Sequence, residues 1–202
     1  MAKSQKVKVA ITGNIGSGKS TFSKFISELG YPVLIADDIS KGILTSNPEV
    51  RFRVIENFGA EAFEADKPNK KYLAEVVFTD PQKLKKLNSI LHPLVRIKIE
   101  KLSDELLREN DIVFIEAALI YEAELENLFD YVVLIIADKK IRMERVKSAK
   151  NLTEEEFTKR DDNQINEDFK KKKADFIFSN NSTLDDLKNK ANLLINILHT
   201  TD

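Results

Sequence analysis

Thr12-Gly13-Asn14-Ile15-Gly16-Ser17-Gly18-Lys19-Ser20-Thr21 is the stretch of this sequence that decides its fold. Residues 13–20 fit the template Gly, any four residues, Gly, Lys, then Ser or Thr, which is typical of phosphate-binding loops. An apolar run at 7–12 predicts a buried strand before the loop, and apolar residues at helical spacing predict a helix after it. Strand, loop and helix in this order predict a nucleotide-binding site.

The residue types of the loop suit a bound polyphosphate better than the alternative, a glycine-rich structural turn. Glycine lets successive backbone N–H groups approach a ligand at the positive end of a helix. Lys19 can then reach the β- and γ-phosphates, and the hydroxyl of Ser20 can coordinate Mg²⁺. We therefore predict that the nucleotide is bound by Gly13, Asn14, Ile15, Gly16, Ser17, Gly18, Lys19, Ser20 and Thr21.

Composition excludes several classes of protein. The formal net charge of the 202 residues is −1, so the chain lacks the basic bias of nonspecific nucleic-acid binders. Without cysteine and with two histidines, it has no disulfides, no thiolate metal site and too few ligands for a histidine-based one. No signal pattern and no apolar run of about 18 residues is present, so we expect a cytoplasmic protein with no membrane association.

The apolar pattern predicts an α/β fold. Four further strands are expected at 33–36, 112–116, 131–137 and 176–178, whereas 39–110 shows only helical patterns, broken at proline-containing sites that include His92-Pro93. Alternating strands and helices favour a five-stranded parallel sheet with helices on both faces, of the type found in phosphate-loop nucleoside-triphosphate hydrolases. The length suits one such domain with a helical insertion.

The acid that follows the second strand favours a kinase. Asp37 lies where open parallel sheets bind ligands, and it can orient an acceptor hydroxyl and take its proton. The alternative is an acidic cap on a helix that starts near Ile39, which has more weight for Asp38. A GTPase would carry Asn-Lys-x-Asp, but the nearest string, 189–192, lacks the Asp.

Further motifs follow along the chain in a characteristic order. They are Ala36-Asp37, Leu91-His92-Pro93-Leu94-Val95-Arg96, Leu119-Ile120-Tyr121-Glu122, Arg145, Arg160 with Gln164 four residues later, and Ala174-Asp175-Phe176-Ile177 running into Asn180-Asn181. With the loop, their order and spacing resemble the dephospho-CoA kinase family over about 7–198. Members of that family phosphorylate the ribose 3′-hydroxyl of dephospho-CoA, the last step of coenzyme A synthesis.

The resemblance implies a domain organisation and a set of site residues. Within one domain at 1–202, it implies a core at about 7–37, 111–142 and 174–200, a helical insertion for the CoA substrate at 38–110, and a helical lid segment at 143–173. ATP would be the phosphoryl donor, with Mg²⁺ on Ser20. The implied catalytic residues are Asp37, Lys19 and Arg145, and the implied substrate-binding residues are Asp37, His92, Arg96 and Glu122.

Some positions depart from the family pattern, and some roles stay open. The departures are Ile35, Ala118 and Ala149, where the family often has an acid, a proline and an arginine. Glu116 either contacts Mg²⁺ through water or only ends its strand. We expect Arg142 to be a surface residue and Lys170–Lys173 to be a solvated helix face, of which Lys172 or Lys173 touches substrate at most.

Two alternative functions remain open from the sequence. The first is another small-molecule phosphate-loop kinase, of the nucleoside, nucleotide or shikimate type. The second is a nucleotide-binding regulatory switch.

Overall fold

A computed structural model describes residues 6–150 and 152–200 of the chain. The strands are β1 (Val7–Thr12), β2 (Val33–Ile35), β3 (Phe63–Glu64), β4 (Lys67–Pro68), β5 (Ile112–Glu116), β6 (Tyr131–Ile136) and β7 (Phe176–Ser179). The helices are α1 (Lys19–Glu28), α2 (Ala36–Ser46), α3 (Pro48–Phe58), α4 (Lys70–Thr79), α5 (Pro81–Leu106), α6 (Lys139–Lys150), α7 (Glu154–Asp162), α8 (Glu167–Lys173) and α9 (Leu184–Thr200).

Over the described residues, the main sheet has five strands in the order β2-β5-β1-β6-β7. The central strand β1 pairs in parallel with β5, where Val7 lies opposite Ile112, and with β6, where Val9 lies opposite Tyr131. The three inner strands β1, β5 and β6 are nearly continuous apolar runs, because central strands of a parallel sheet are buried on both faces. The predicted α/β fold with a five-stranded parallel sheet is confirmed.

Helices α1 and α9 pack on one face of this sheet. Phe22 and Ile26 of α1 and Leu187 and Leu194 of α9 are completely buried in one core with the apolar residues of β1, β5 and β6. The amphipathic spacing of α1 and α9 places these residues on the inner side of each helix. This packing fixes the start of α1, and with it the end of the loop that follows β1.

The chain divides into two compact units. One comprises the residues up to Leu34 and from Leu102 onward, and the other is Ile35–Lys101. The second unit has its own core, to which Val54 of α3, Leu73 and Val77 of α4 and Ile90 of α5 contribute. The insertion was predicted at 38–110, whereas residues 102–110 belong to the first unit.

Two local predictions for the insertion are wrong. Strands β3 and β4 form a small antiparallel hairpin, in which Phe63 pairs with Pro68, within a region that was predicted to have no strand. Strands of two residues are too short to show an alternating pattern. The helix α5 also continues through Pro93, where a break was predicted. Proline removes one backbone hydrogen bond from the helix, and the burial of Leu91 and Val95 on either side offsets that loss.

Candidate active site

The loop that follows β1 is held against its surroundings so closely that it requires glycine, as Gly16 and Gly18 show. Gly16 has φ 78°, and a Cβ there would lie 2.5 Å from the carbonyl oxygen of Arg142. Gly18 is the N-cap of α1 with φ 98°, and a Cβ there would collide with the side-chain amide of Asn180. Both conformations are left-handed and disfavour L side chains. The loop therefore ends at the N-terminus of α1, where backbone N–H groups bind phosphate.

Ser20 and Glu116 bring a hydroxyl and a carboxylate together at the carboxyl end of the sheet. The Ser20 hydroxyl donates to Glu116 Oε1 at 2.6 Å, and Glu116 is the buried last residue of β5. Oxygen ligands suit Mg²⁺, which proteins usually hold through one or two side chains together with substrate phosphates. Among the residues that the structure describes there is no cluster of three or more histidine, cysteine or acidic side chains fit for a metal.

Arg145 lies beside the loop. Its Nη2 donates to the backbone carbonyl of Asn180 at 2.9 Å, and the Asn180 side chain in turn donates to the Ser17 carbonyl at 2.8 Å. The Arg145 Nη1 is buried and has no hydrogen-bond partner within residues 6–150 and 152–200. It stands 4.0 Å from the position that a Cβ at Gly18 would occupy. Arg145 thus presents an unused donor next to the phosphate loop.

Arg142 is buried, and the prediction that it is a surface residue is wrong. Its side chain is 6 % exposed, and Nη1 lies 2.6 Å from Asp161 Oδ1. The same nitrogen donates to the Ile15 carbonyl at 3.1 Å, and Nε donates to the Ala137 carbonyl at 3.1 Å. Spacing along α6 could not show this, because the partner acid lies on a different helix, α7.

Glu122 is engaged inside the protein. Its Oε1 accepts a hydrogen bond from the Ile165 N–H at 2.8 Å and lies 2.9 Å from the Lys170 ammonium. The Lys170 side chain is completely buried, so the prediction of a solvated lysine face fails at this residue. Lys172 and Lys173 are exposed, as predicted. The role of Glu122 in substrate binding stays a prediction.

Tyr121 shows how apolar and acidic the surroundings of Glu122 are. Its ring meets that of Phe169 edge-on, with the ring centroids 6.3 Å apart. Burial, followed by the negative charges of Asp175, Glu126 and Glu122, raises the pKa of Tyr121 to about 12. An ionised group in this region therefore needs a partner of opposite charge, and Lys170 supplies one to Glu122.

The predicted site residues Asp37, His92 and Arg96 lie in the second unit, whereas Lys19 and Thr21 lie in the first turn of α1, in the first unit. Asp37 is exposed in the first turn of α2, which begins at Ala36 instead of near Ile39. The N-cap residue of α2 is Ile35, and no side chain caps the helix, so the capping alternative for the two acids is not realised. Asp38 instead pairs with Lys41 at 2.8 Å.

His92 and Arg96 are four residues apart on α5 and so lie on one face of that helix. Arg96 is exposed, and its Nε is 3.6 Å from Glu100 Oε1. An exposed pair of this kind contributes little stability and leaves the guanidinium accessible.

A cavity of about 300 Å³ opens at the carboxyl end of β6. Its lining residues are Ile136, Ala137, Asp138, Lys139, Arg142, Glu167, Lys171 and Asn181. Because the backbone of Arg142 also touches the loop at Gly16, the cavity lies next to the phosphate-binding residues. Open parallel sheets bind ligands at this edge.

The site is built on a glycine-rich loop between a central parallel strand and a helix. A lysine, a serine–acid pair and an arginine accompany this loop. The arrangement defines a phosphate-loop nucleotide-binding protein. The family model described as dephospho-CoA kinase matches residues 7–186. The chain therefore belongs to the dephospho-CoA kinase family, whose phosphoryl donor is ATP.

Individual relatives agree with this assignment. The dephospho-CoA kinase of Listeria monocytogenes is 32% identical over 179 residues, which cover 88% of this chain and 90% of the relative. The solved structure of dephospho-CoA kinase from Campylobacter jejuni has a TM-score of 0.73 and 30% identity, and the match covers 98% of this chain and all of that one (100%). A shikimate kinase from Acinetobacter baumannii, at 13% identity and TM-score 0.60 over 98% of this chain and 96% of that one, shares the fold alone.

Sequence reasoning missed three residues that shape this site. Asp161 holds Arg142, Lys170 pairs with Glu122, and Asn180 connects Arg145 to the loop. Asn180 and Gln164 belong to the family motifs in the sequence, but those motifs assigned no role to either residue. No local signal marks Asp161 or Lys170, because each lies in a strongly charged stretch and only the folded chain buries it.

Proposed function

We propose that this chain transfers the γ-phosphoryl group of ATP to the ribose 3′-hydroxyl of dephospho-CoA, giving coenzyme A and ADP. The observation that carries the proposal is the family match over 7–186, which takes in the phosphate loop, the insertion and the lid segment. The alternatives, another small-molecule kinase or a regulatory switch, explain the loop but not this match.

On the donor side, the protein's task is to position the phosphates and balance their charge, because phosphoryl transfer needs little covalent chemistry from the enzyme. The loop N–H groups and Lys19 hold the β- and γ-phosphates. The unused Nη1 of Arg145 is available to the transferring group. Mg²⁺ would be held by Ser20, with Glu116 beside it, and supplies neutralising charge on the phosphates when bound.

On the acceptor side, Asp37 orients the 3′-hydroxyl and takes its proton. Its carboxylate is exposed in the first turn of α2 and is therefore accessible to a substrate. Such general-base assistance contributes roughly 10²- to 10⁴-fold in rate. His92, Arg96 and Glu122 are assigned to the CoA substrate on the strength of their positions in the family motifs.

The cavity at the carboxyl end of β6 is our candidate for the nucleoside of ATP, since it adjoins the loop at Arg142. The lid segment at 143–173 would exclude water from both nucleotides and so limit wasteful hydrolysis of ATP. Hydrogen exchange tests this role. Equal protection of 147–173 with and without both nucleotides would count against it.

The deciding experiment offers the protein MgATP and a panel of acceptors: dephospho-CoA, adenosine, AMP and shikimate. Phosphorylated product from dephospho-CoA alone is expected. Product from another acceptor would support a different small-molecule kinase, and slow ATP hydrolysis with no transfer would support a regulatory switch.

Two substitutions separate the donor and acceptor roles. Asp37→Asn should keep ATP binding and lose most turnover, whereas Lys19→Ala should damage both. Asp38→Asn is the matched control, because Asp38 is the adjacent exposed acid and pairs with Lys41. Near-normal turnover of Asp37→Asn would remove the base assignment.

Among the described residues, every helix is too short or too polar to span a lipid bilayer. The cytoplasmic location and the absence of nucleic-acid partners stay predictions.

A further inference from the structure

The lid segment holds the first half of the phosphate loop through Ile15. The Ile15 N–H donates to Gln164 Oε1 at 2.7 Å, and the Ile15 carbonyl accepts from Arg142 Nη1 at 3.1 Å. Both backbone polar groups of one loop residue are thus bonded to side chains that are far away in sequence. Gln164 lies directly after α7, within the lid segment.

The Arg142 guanidinium is itself fixed from the lid segment. Asp161 accepts from Nη1 at 2.6 Å and from Nη2 at 3.3 Å, and the ring of Phe157 lies 5.6 Å from the guanidinium carbon. Asp161 Oδ1 also accepts from the Asn14 side chain at 3.5 Å. Asp161 therefore contacts the loop directly through Asn14 and indirectly through Arg142.

The loop is closely packed next to these bonds, so a change at Ile15 affects the residues beside it. Gly16 follows Ile15 and packs directly on the Arg142 backbone, where even a Cβ would be too close. The backbone of Ile15 continues through Gly16–Gly18 to the start of α1, so a shift at Ile15 is passed on to the N–H groups there, which suit an anion.

We propose that Asp161 and Gln164 are positioning residues, which set the shape of the loop at Asn14–Gly16 and make its affinity for nucleotide depend on docking of the lid segment. The inference rests on the donor side of the proposed function. It does not depend on which acceptor is phosphorylated.

Gln164→Met tests the proposal, because methionine keeps the length of the side chain and removes the acceptor for the Ile15 N–H. Two quantities are measured: hydrogen exchange of the Ile15 amide by NMR in the nucleotide-free protein, and the dissociation constant for MgADP by calorimetry. Exchange should accelerate, and binding should weaken by roughly 2- to 12-fold, the value of one ordinary hydrogen bond. Gln82→Met is the matched control, since Gln82 is exposed on α5.

Asp161→Asn tests the second residue, with the exposed neighbour Asp162→Asn as its control. It should weaken MgADP binding more than Gln164→Met does, because Arg142 loses its counter-ion. If Asp161→Asn fails to fold, Gln164→Met alone decides, since it leaves the Arg142–Asp161 pair intact. Unchanged Ile15 exchange and MgADP affinity within twofold in Gln164→Met would overturn the proposal, whatever the result with dephospho-CoA.

Discussion

Lys170→Met should destabilise the protein although Lys170 stands in a run of four lysines. The side chain is completely buried, and its ammonium is 2.9 Å from Glu122 Oε1. Methionine fills nearly the same volume but leaves the Glu122 carboxylate without a counter-ion. Removal of one partner from a buried pair costs about 3–5 kcal/mol of unfolding free energy.

The structure indicates the lower end of that range. The Glu122 side chain is 12 % exposed, and Oε1 keeps its hydrogen bond from the Ile165 N–H. We therefore expect a loss of about 3 kcal/mol, which corresponds to a fall in melting temperature of roughly 6–12 °C in a chain of this size.

Urea denaturation of the wild type, Lys170→Met and the control Lys172→Met measures the effect. Lys172 is exposed two residues away, so its substitution should change the unfolding free energy by less than about 0.5 kcal/mol. The double variant Glu122→Gln/Lys170→Met should recover about half of the loss, because no charge is then buried alone. A Lys170→Met protein as stable as Lys172→Met would refute the reasoning.

Three further predictions concern the loop, Asp161 and Tyr121. Gly16→Ala should abolish MgADP binding measured by calorimetry, because its φ is 78° and the Cβ would clash with the Arg142 carbonyl; binding like the wild type's would contradict the loop geometry. Burial raises the pKa of Asp161, but the hydrogen bond and charge of Arg142 outweigh it and hold the pKa below its ordinary 3.8. The Asp161 carboxylate therefore stabilises the fold fully near neutral pH, and this stabilisation is lost as pH falls through the lowered pKa of the folded state. The difference in unfolding free energy between wild type and Asp161→Asn should shrink below about pH 4. A difference that stays constant with pH would argue against the Arg142–Asp161 pairing. Absorbance titration of wild type and Tyr121→Phe should show that the substitution removes a phenol that ionises near pH 12. If the missing phenol ionises near pH 10 instead, the result would contradict the burial of Tyr121.

The parts of the molecule that the sequence predicted are those that depend on neighbours along the chain. The motif at residues 13–20 predicts the loop from adjacent residues alone. The strands β1, β5 and β6 are short apolar runs, which is the pattern typical of strands that are buried on both faces. The family motifs also located Arg145, which the structure places beside Gly18. Local pattern was sufficient for the loop and the strands, whereas Arg145 was predicted from the family resemblance and its role stays a prediction.

The parts that could not be predicted depend on partners far away in sequence. Lysine and arginine are normally exposed, but Lys170 and Arg142 are buried because Glu122 and Asp161, which are far away in sequence, pair with them. The register of the hairpin at 63–68 and the continuation of α5 through Pro93 also depend on the core of the second unit. Sequence spacing gives no information about such contacts.

The two buried ion pairs that attach the lid segment have opposite polarity. In one, the core supplies the acid, Glu122, and the lid segment the base, Lys170; in the other, the core supplies the base, Arg142, and the lid segment the acid, Asp161. A lid segment docked in a shifted or exchanged arrangement would bring two acids or two cations together in a poorly solvated place, at a cost of several kcal/mol. If residues 143–173 act as a lid, the crossed charges favour one docked alignment over its competitors. These four side chains would then set the specificity of docking as well as the strength of attachment.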